Sequence, residues 1–347
     1  MAKAATAPQL LPTTVIGSHA LPAWVWLARE ALAAGRMGQI DVEETLEDAT
    51  RIAIQDQLEA GVDIISDGEM RRVNFIIGFY NRLKGIEAME APRRLGAPHW
   101  DTEQPFLVRE PLTCPEGLGV VQDFKLARQL TRVPMKATCP GPITLSTPLR
   151  RGDVYPSQEA MVEALVPIVN HELKALEEAG ADFIQIDEPN FAMRRGDAKP
   201  WIAVFNEAVK GIKAKIALHI CFGNLNNKPF AAPRTYRHLF PHILEANAQQ
   251  IVLEFANREM GEAELCADLA QIKEVGFGVV DVKAFRIESP DDVAGRIRQA
   301  LQYVPAEKLV INPDCGFWDT PRWVCRGKLK AMVEGTRIVR HELADSA

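Results

Sequence analysis

A histidine and a cysteine stand two residues apart in Ala217-Leu218-His219-Ile220-Cys221. On an extended chain, side chains two apart leave the same face, so this pair can grip one ion. Glu254 closes the next apolar run, and Cys315 follows the last one in Asn312-Pro313-Asp314-Cys315-Gly316. One imidazole nitrogen, two sulfurs and a carboxylate oxygen suit tetrahedral zinc better than magnesium or calcium. Taken alone, His219 and Cys221 read better as a buried histidine beside a small hydrophobe. A second cysteine and a glutamate at separate strand ends reverse that reading.

Two thiolates, a carboxylate and a neutral imidazole around Zn²⁺ leave one negative charge in excess. Such a centre is a poor Lewis acid for carbonyls but is matched to electron-rich sulfur. A free thiol, with a pKa of roughly 8.5, is mostly protonated at neutral pH, and coordination removes that proton. A substrate sulfur that displaces the oxygen ligand would stay nucleophilic, and alkyl transfer to sulfur follows. Glu69 in Ser66-Asp67-Gly68-Glu69 and Asp187 in Gln185-Ile186-Asp187-Glu188-Pro189 can accept charge-assisted hydrogen bonds from an ammonium on the same substrate. Ser18, with the backbone of Ile16 and Gly17, can receive a carboxylate. The plainer alternatives are helix N-capping by Asp187 and Glu188 ahead of Pro189, and a salt bridge from Glu69 to Arg71 or Arg72.

These residues need a scaffold that gathers strand ends. Short β-branched runs at 13–17, 62–66, 133–138, 183–186, 215–220, 250–255, 278–282 and 309–312 alternate with amphipathic segments. Helices are predicted at 43–60, 157–179, 201–212, 234–246, 263–275, 290–302 and 321–342. Several stop at glycine, as at Gly61, Gly180 and Gly276. A single (β/α)8 TIM barrel is the economical α/β fold, and it places reactive residues at the C-terminal ends of its strands. It spans 11–343, between a flexible N-terminus at 1–10 and a tail at 344–347. The Pro-, Gly- and Arg-rich stretch 88–119 breaks the alternation and reads as an insertion after the second strand, an excursion or hairpin.

Composition limits the alternatives. With 347 residues, 47% of them hydrophobic and 25% charged, the chain has enough apolar side chain for one large core. A net charge of -6 with scattered lysines and arginines gives no footprint for nucleic acid or an anionic membrane. No secretory leader or apolar span is visible, and the six cysteines are dispersed, so a cytoplasmic protein with reduced thiols is expected.

The sequence also resembles the catalytic C-terminal domain of cobalamin-independent methionine synthases, especially the short stand-alone members called core methionine synthases. The matching stretches are Thr14-Val15-Ile16-Gly17-Ser18, Asp67-Gly68-Glu69, Pro140-Gly141-Pro142-Ile143-Thr144, Gln185-Ile186-Asp187-Glu188-Pro189, His219-Ile220-Cys221 and Asn312-Pro313-Asp314-Cys315-Gly316. The resemblance runs from Leu11 to about Leu343. It implies zinc on His219, Cys221, Glu254 and Cys315, and homocysteine held by its carboxylate at Ile16 and Ser18 and by its amine at Glu69 and Asp187. The donor side departs from the family. Ser146-Thr147-Pro148 stands where a tryptophan stacks on the pterin, Lys283 stands where a histidine assists the folate leaving group, and an N-terminal folate-binding barrel is not expected. The resemblance with these departures implies methylcobalamin, free or on a corrinoid protein, ahead of methyltetrahydrofolate. Lys283 and Asp187 are the catalytic candidates, with Lys283 either a polar contact for the reaction or a partner of Asp281 or Glu288. Two other readings compete: a zinc alkyltransferase for another thiol such as coenzyme M, whose sulfonate Glu69 and Asp187 would repel, and a non-catalytic barrel binding an amino acid or corrinoid.

Overall fold

A computed structural model of the chain describes residues 10–72, 77–90, 105–223 and 233–345. Most of the expected N-terminal tail, 1–9, and the 91–104 part of the expected insertion lie outside the described residues. Among those described, six strands form one parallel sheet, ordered as in the chain: Ala137–Pro140, Phe183–Asp187, Lys215–Ile220, Gln250–Leu253, Glu274–Val280 and Leu309–Pro313. Their residues are almost all buried, as the apolar runs of a sheet covered on both faces require. Asp187 pairs in register with His219, so these two polar side chains of neighbouring strands emerge together.

The first two expected strands are reduced to isolated parallel bridges, Thr13 with Ile311, Thr14 with Ile64, and Ile65 with Met135. Side chains do part of the work of a ladder here. The backbone N–H and Oγ1 of Thr13 donate to Asp63 Oδ2 at 2.7 and 2.8 Å, and Asp63 N donates back to Thr13 Oγ1 at 3.1 Å. Gln57 in turn accepts from Ser66 N at 2.9 Å and donates to Ser66 O at 3.1 Å.

The long helices are Gln39–Ala60, Gln158–Glu178 and Arg322–Asp345. The last runs through the expected boundary at 343. Ser157 caps the second by accepting from Ala160 N at 3.1 Å, and Gly61 ends the first in the left-handed region at φ 84°. Among the helices that went unread in the sequence, the longer ones are Ala23–Ala33 and Val120–Leu130. Between 234 and 246 only two 3₁₀ turns form, Arg237–Leu239 and His242–Glu245; Pro241 between them has no N–H to continue a helix. The helix expected at 263–275 is a 3₁₀ turn and a short helix, Cys266–Ile272, and the next strand begins at Glu274 rather than 278. Gly276 is therefore a strand residue: a Cβ there would press on Asn312 Oδ1 and Val252 Cγ2, each at 2.8 Å. In the region read as an insertion, Lys84–Ala88 pairs antiparallel with Phe106–Thr113.

The main core packs helices onto the sheet. Phe255 and Phe277 stack within it at 4.0 Å between centroids, and each fully buried large apolar side chain contributes about 1.5–3 kcal/mol. A separate small cluster joins Ile16, Phe183, Ala217 and Val252, with Ile64 packed against it. Ala217 shares a strand face with His219 and Cys221, so this cluster forms the apolar floor under them. No helix among the described residues is long and apolar enough to cross a membrane.

Candidate functional site

The Lys215–Ile220 strand carries His219 on its inner face and delivers Cys221 just past its end. Cys315 follows the Leu309–Pro313 strand. The fold brings the three together: one ligand atom from each of His219, Cys221 and Cys315 lies within 4.8 Å of the others, and the two sulfurs are 3.3 Å apart. All six cysteines are free thiols. The Cys315 sulfur, burial and Glu254 together push the Cys221 thiol well above the ordinary thiol range. Two thiols this close cannot both ionise unless a cation stands between them.

His219 leaves one ring nitrogen without a hydrogen-bond partner among the described residues. Its Nδ1 lies 2.8 Å from Asp187 Oδ1, and the nitrogen left is Nε2, which is buried. When Nδ1 donates to the carboxylate, the Nε2 lone pair is left for a metal. Gln185 Nε2 donates to the same Asp187 oxygen at 2.7 Å and to Ile16 O at 2.8 Å, tying the 16–18 loop to this pair. Gly223 N donates to Cys221 Sγ at 3.4 Å.

Glu254, the expected fourth ligand, is fully buried but stands outside that close group. Its Oε2 accepts from Lys283 Nζ at 2.6 Å and from Phe222 N at 3.1 Å; its Oε1 has no hydrogen-bond partner among the described residues. This corrects the partners expected for Lys283. Asp281 accepts only the backbone N–H of Lys283, at 2.7 Å, and Glu288 receives Lys328 Nζ at 2.7 Å. Burial opposes the charge on Lys283, but Glu254 and the neighbouring acidic groups outweigh it and hold the pKa above the ordinary lysine value.

Two of the residues expected to hold the amino acid, Glu69 and Ser18, pack against neighbouring glycine turns. A Cβ on Gly17 would collide with Glu69 Oε1, and one on Gly316 would collide with Ser18 Oγ. Glu69 therefore rests on the 16–18 backbone, and Ser18 rests on the turn that carries Cys315. Glu69 sits at φ 57°, after Gly68 at φ 74°, a left-handed turn that few side chains accept without cost. Its Oε1 accepts from Thr138 Oγ1 at 2.7 Å and lies 2.9 Å from Arg72 Nη1, an ion contact whose N–H is not aligned for a hydrogen bond. The salt bridge to Arg72 is thus present beside the proposed amine contact. Burial lifts Glu69 to about 7 against the pull of Arg72, with Asp187 adding to the rise. The capping alternative splits between two residues. Glu188 accepts from Ile143 N and Thr144 N at 3.0 and 2.8 Å, capping the Pro142–Ser146 helix rather than its own segment, whereas Asp187 faces His219.

Two residues that bridge strand ends were given no role in the sequence reading. Tyr236, fully buried, donates its hydroxyl to Ile220 O at 3.1 Å and accepts from Glu254 N at 3.0 Å, so one phenol spaces the strand end bearing Cys221 from that bearing Glu254. Asp314 accepts from Phe255 N and Ala256 N, each at 2.9 Å, and from Asn257 N at 2.6 Å, clasping the loop beyond Glu254. Its carboxyl side chain beside Cys315 was a visible signal; a tyrosine within an expected helix was not.

Comparison with known proteins gives a concordant result. Residues 11–337 match the family described as the catalytic domain of cobalamin-independent synthases. A methionine synthase of Saccharolobus solfataricus is 36% identical over 340 residues, covering 96% of each chain. One from Sulfurisphaera tokodaii is 34% identical, covering 96% of this chain and 94% of its own. Among solved structures, a B12-independent methionine synthase from a Shewanella species, in complex with selenomethionine, superposes with a TM-score of 0.82 at 31% identity, covering 97% of this chain and 99% of that one. These descriptions run against the expected methylcobalamin donor and corrinoid-protein partner. That expectation rested on three donor-side departures, two of which, the stacking ring and the N-terminal barrel, do not by themselves specify a different donor. Lys283, the other ground, is engaged by Glu254.

Proposed function

This chain belongs to the cobalamin-independent methionine synthase family, in its catalytic domain, and from that premise we propose that it transfers a methyl group to the thiol of homocysteine, forming methionine. The observation that carries the reading is the cluster of buried His219 and Cys221 with half-buried Cys315, in which a histidine nitrogen without a hydrogen-bond partner among the described residues stands beside two sulfurs. We read the site as a zinc centre held by His219, Cys221 and Cys315, with Glu254 as the fourth ligand. Zinc bound there supplies deprotonation of a coordinating thiol while keeping the sulfur nucleophilic.

The chain's own residues supply the rest. Asp187 orients His219 and stabilises the tautomer with a free Nε2. Ser18, with the backbone of Ile16, receives the substrate carboxylate, and Glu69 with Asp187 receives its ammonium. The two buried carboxylates attract an ammonium and repel a sulfonate such as that of coenzyme M. Burial of the site limits competing attack by water. We further read the three isolated bridges as joining the outer strands of the sheet into a (β/α)8 barrel at 11–343, with the small Ile16 cluster as its interior floor. The six free thiols agree with a reducing, cytoplasmic setting.

The test measures zinc content and methionine formation in the same preparations, with methyltetrahydrofolate and methylcobalamin supplied in separate arms. Parent protein is expected to hold one zinc per chain and form methionine from homocysteine. Cys221→Ser and Cys315→Ser are expected to lose both together while keeping the parent's circular dichroism. Full turnover by metal-free Cys315→Ser would overturn the reading.

A further inference from the structure

Resting on the zinc reading above, a second charged residue bears on the metal centre without being a ligand. Lys283 and Glu254 form an ion pair whose side chains are 3% and 0% exposed. Lys283 comes from the segment following the Glu274–Val280 strand and Glu254 from the end of Gln250–Leu253. A buried carboxylate with a strong partner loses much less on leaving a metal than one with none, because an unpaired buried charge is costly. Phe222 N reaches the same oxygen as Lys283, so both holds fall on Oε2, and Oε1 alone remains without a hydrogen bond among the described residues. The charge balance points the same way. Two thiolates, one carboxylate and Zn²⁺ leave one negative charge in excess, and the Lys283 ammonium cancels it inside a site with little water.

We propose that Lys283 is a positioning residue that acts through Glu254, keeping this carboxylate an exchangeable ligand while His219, Cys221 and Cys315 stay fixed. It does so by offering the carboxylate a second partner of opposite charge, so that a substrate sulfur can enter without stranding a buried anion. Without the ammonium, one backbone N–H is the hydrogen-bond donor left to Glu254 among the described residues, beside the metal.

The experiment measures zinc affinity by competition with a chromophoric chelator in the full-length chain, for parent, Lys283→Met, Lys283→Gln and the same changes in a Glu254→Gln background. Removing the ammonium is expected to tighten zinc binding by about tenfold or more, the size of change that residues behind metal ligands produce, and the gain is expected to vanish when Glu254 is already neutral. Cobalt-substituted protein gives a second readout: homocysteine is expected to shift the visible spectrum of the parent and to shift that of Lys283→Gln less at equal concentration. Lys283→Gln retains a hydrogen-bonding group if the methionine variant folds poorly. Unchanged or weaker zinc binding in both variants, with the parent holding zinc through Cys221 and Cys315, overturns the role of Lys283 alone. A parent that binds no zinc overturns the zinc reading and this proposal together.

Discussion

Asp187, read from the sequence as an ammonium acceptor and a catalytic candidate, also pairs with His219. As an acceptor for an ammonium, its replacement by asparagine would weaken thiol binding and leave the metal alone. The structure places its Oδ1 2.8 Å from His219 Nδ1, with Gln185 on the same oxygen, so it also sets which imidazole nitrogen faces the two cysteines. Asp187→Asn keeps an acceptor there but loses the charge that strengthens the ring as a ligand; Asp187→Ala loses both. Zinc affinity is therefore expected to fall in both variants, by about 10- to 100-fold in the alanine form and less in the asparagine form, with KM for homocysteine raised in each. Chelator competition alongside kinetics checks this. Parent-like zinc affinity in Asp187→Ala would restrict the residue to substrate binding.

At the scale of elements, the site depends on the spacing between strand ends, and that spacing is set by groups bridging them. The Tyr236 hydroxyl joins Ile220 O to Glu254 N across adjacent strands, and its ring lies under Arg258 and beside Phe222 and Phe255. Tyr236→Phe preserves the ring and removes both bonds, leaving a buried carbonyl and a buried N–H to find other partners. A loss of about 1–3 kcal/mol in urea-unfolding stability is expected, together with weaker zinc retention from displacement of the Glu254 strand end. Unchanged stability would mean that water replaces the hydroxyl without cost. The segment bearing Tyr236 was expected to be a helix and is two 3₁₀ turns, with Tyr236 just ahead of the first.

Across the whole molecule, the 16–19 loop is tied to the first long helix and the last one through an ionic network in which His19 and Asp56 are buried and the arginines partly exposed. His19 Nε2 lies 3.0 Å from Asp56 Oδ2 and its Nδ1 3.3 Å from Cys325 Sγ, while Arg322 pairs with both oxygens of Asp56 at 2.7 and 2.8 Å and Arg326 approaches at 3.2 Å. Burial pulls the His19 pKa down, but Cys325 and Asp56 outweigh it and raise it to about 9 from 6.5. Burial alone would raise Asp56, yet its bonds to His19 and Arg322 hold it at about 2. A raised folded pKa on a base stabilises fully below its unfolded value and is lost as pH rises through the folded one. The His19 contribution, at most about 3 kcal/mol, is thus complete below about pH 6.5 and gone above about 9. Thermal midpoints of the parent are expected to fall across that window, and those of His19→Gln to start lower and fall less. Parallel curves for the two proteins would assign the alkaline loss to other groups.

What the residues alone determined was which reactive side chains stand at the strand ends, and roughly where. His219 and Cys221 two apart, Cys315 after an apolar run, and Glu69 and Asp187 at strand ends follow from local pattern, because side-chain alternation and strand ends are properties of short segments. The strands from 183 to 313 were legible for the same reason, being continuous apolar runs buried on both faces. The failures lie where distant groups substitute for local rules: Asp63 and Gln57 replacing ladder bonds at the first two strands, Val252 and Asn312 crowding Gly276 into a strand, and Glu188 capping a helix forty residues before it. The Lys283–Glu254 pair belongs to this second group. A lysine's partner is chosen by which carboxylate the fold buries beside it, and only packing decides that.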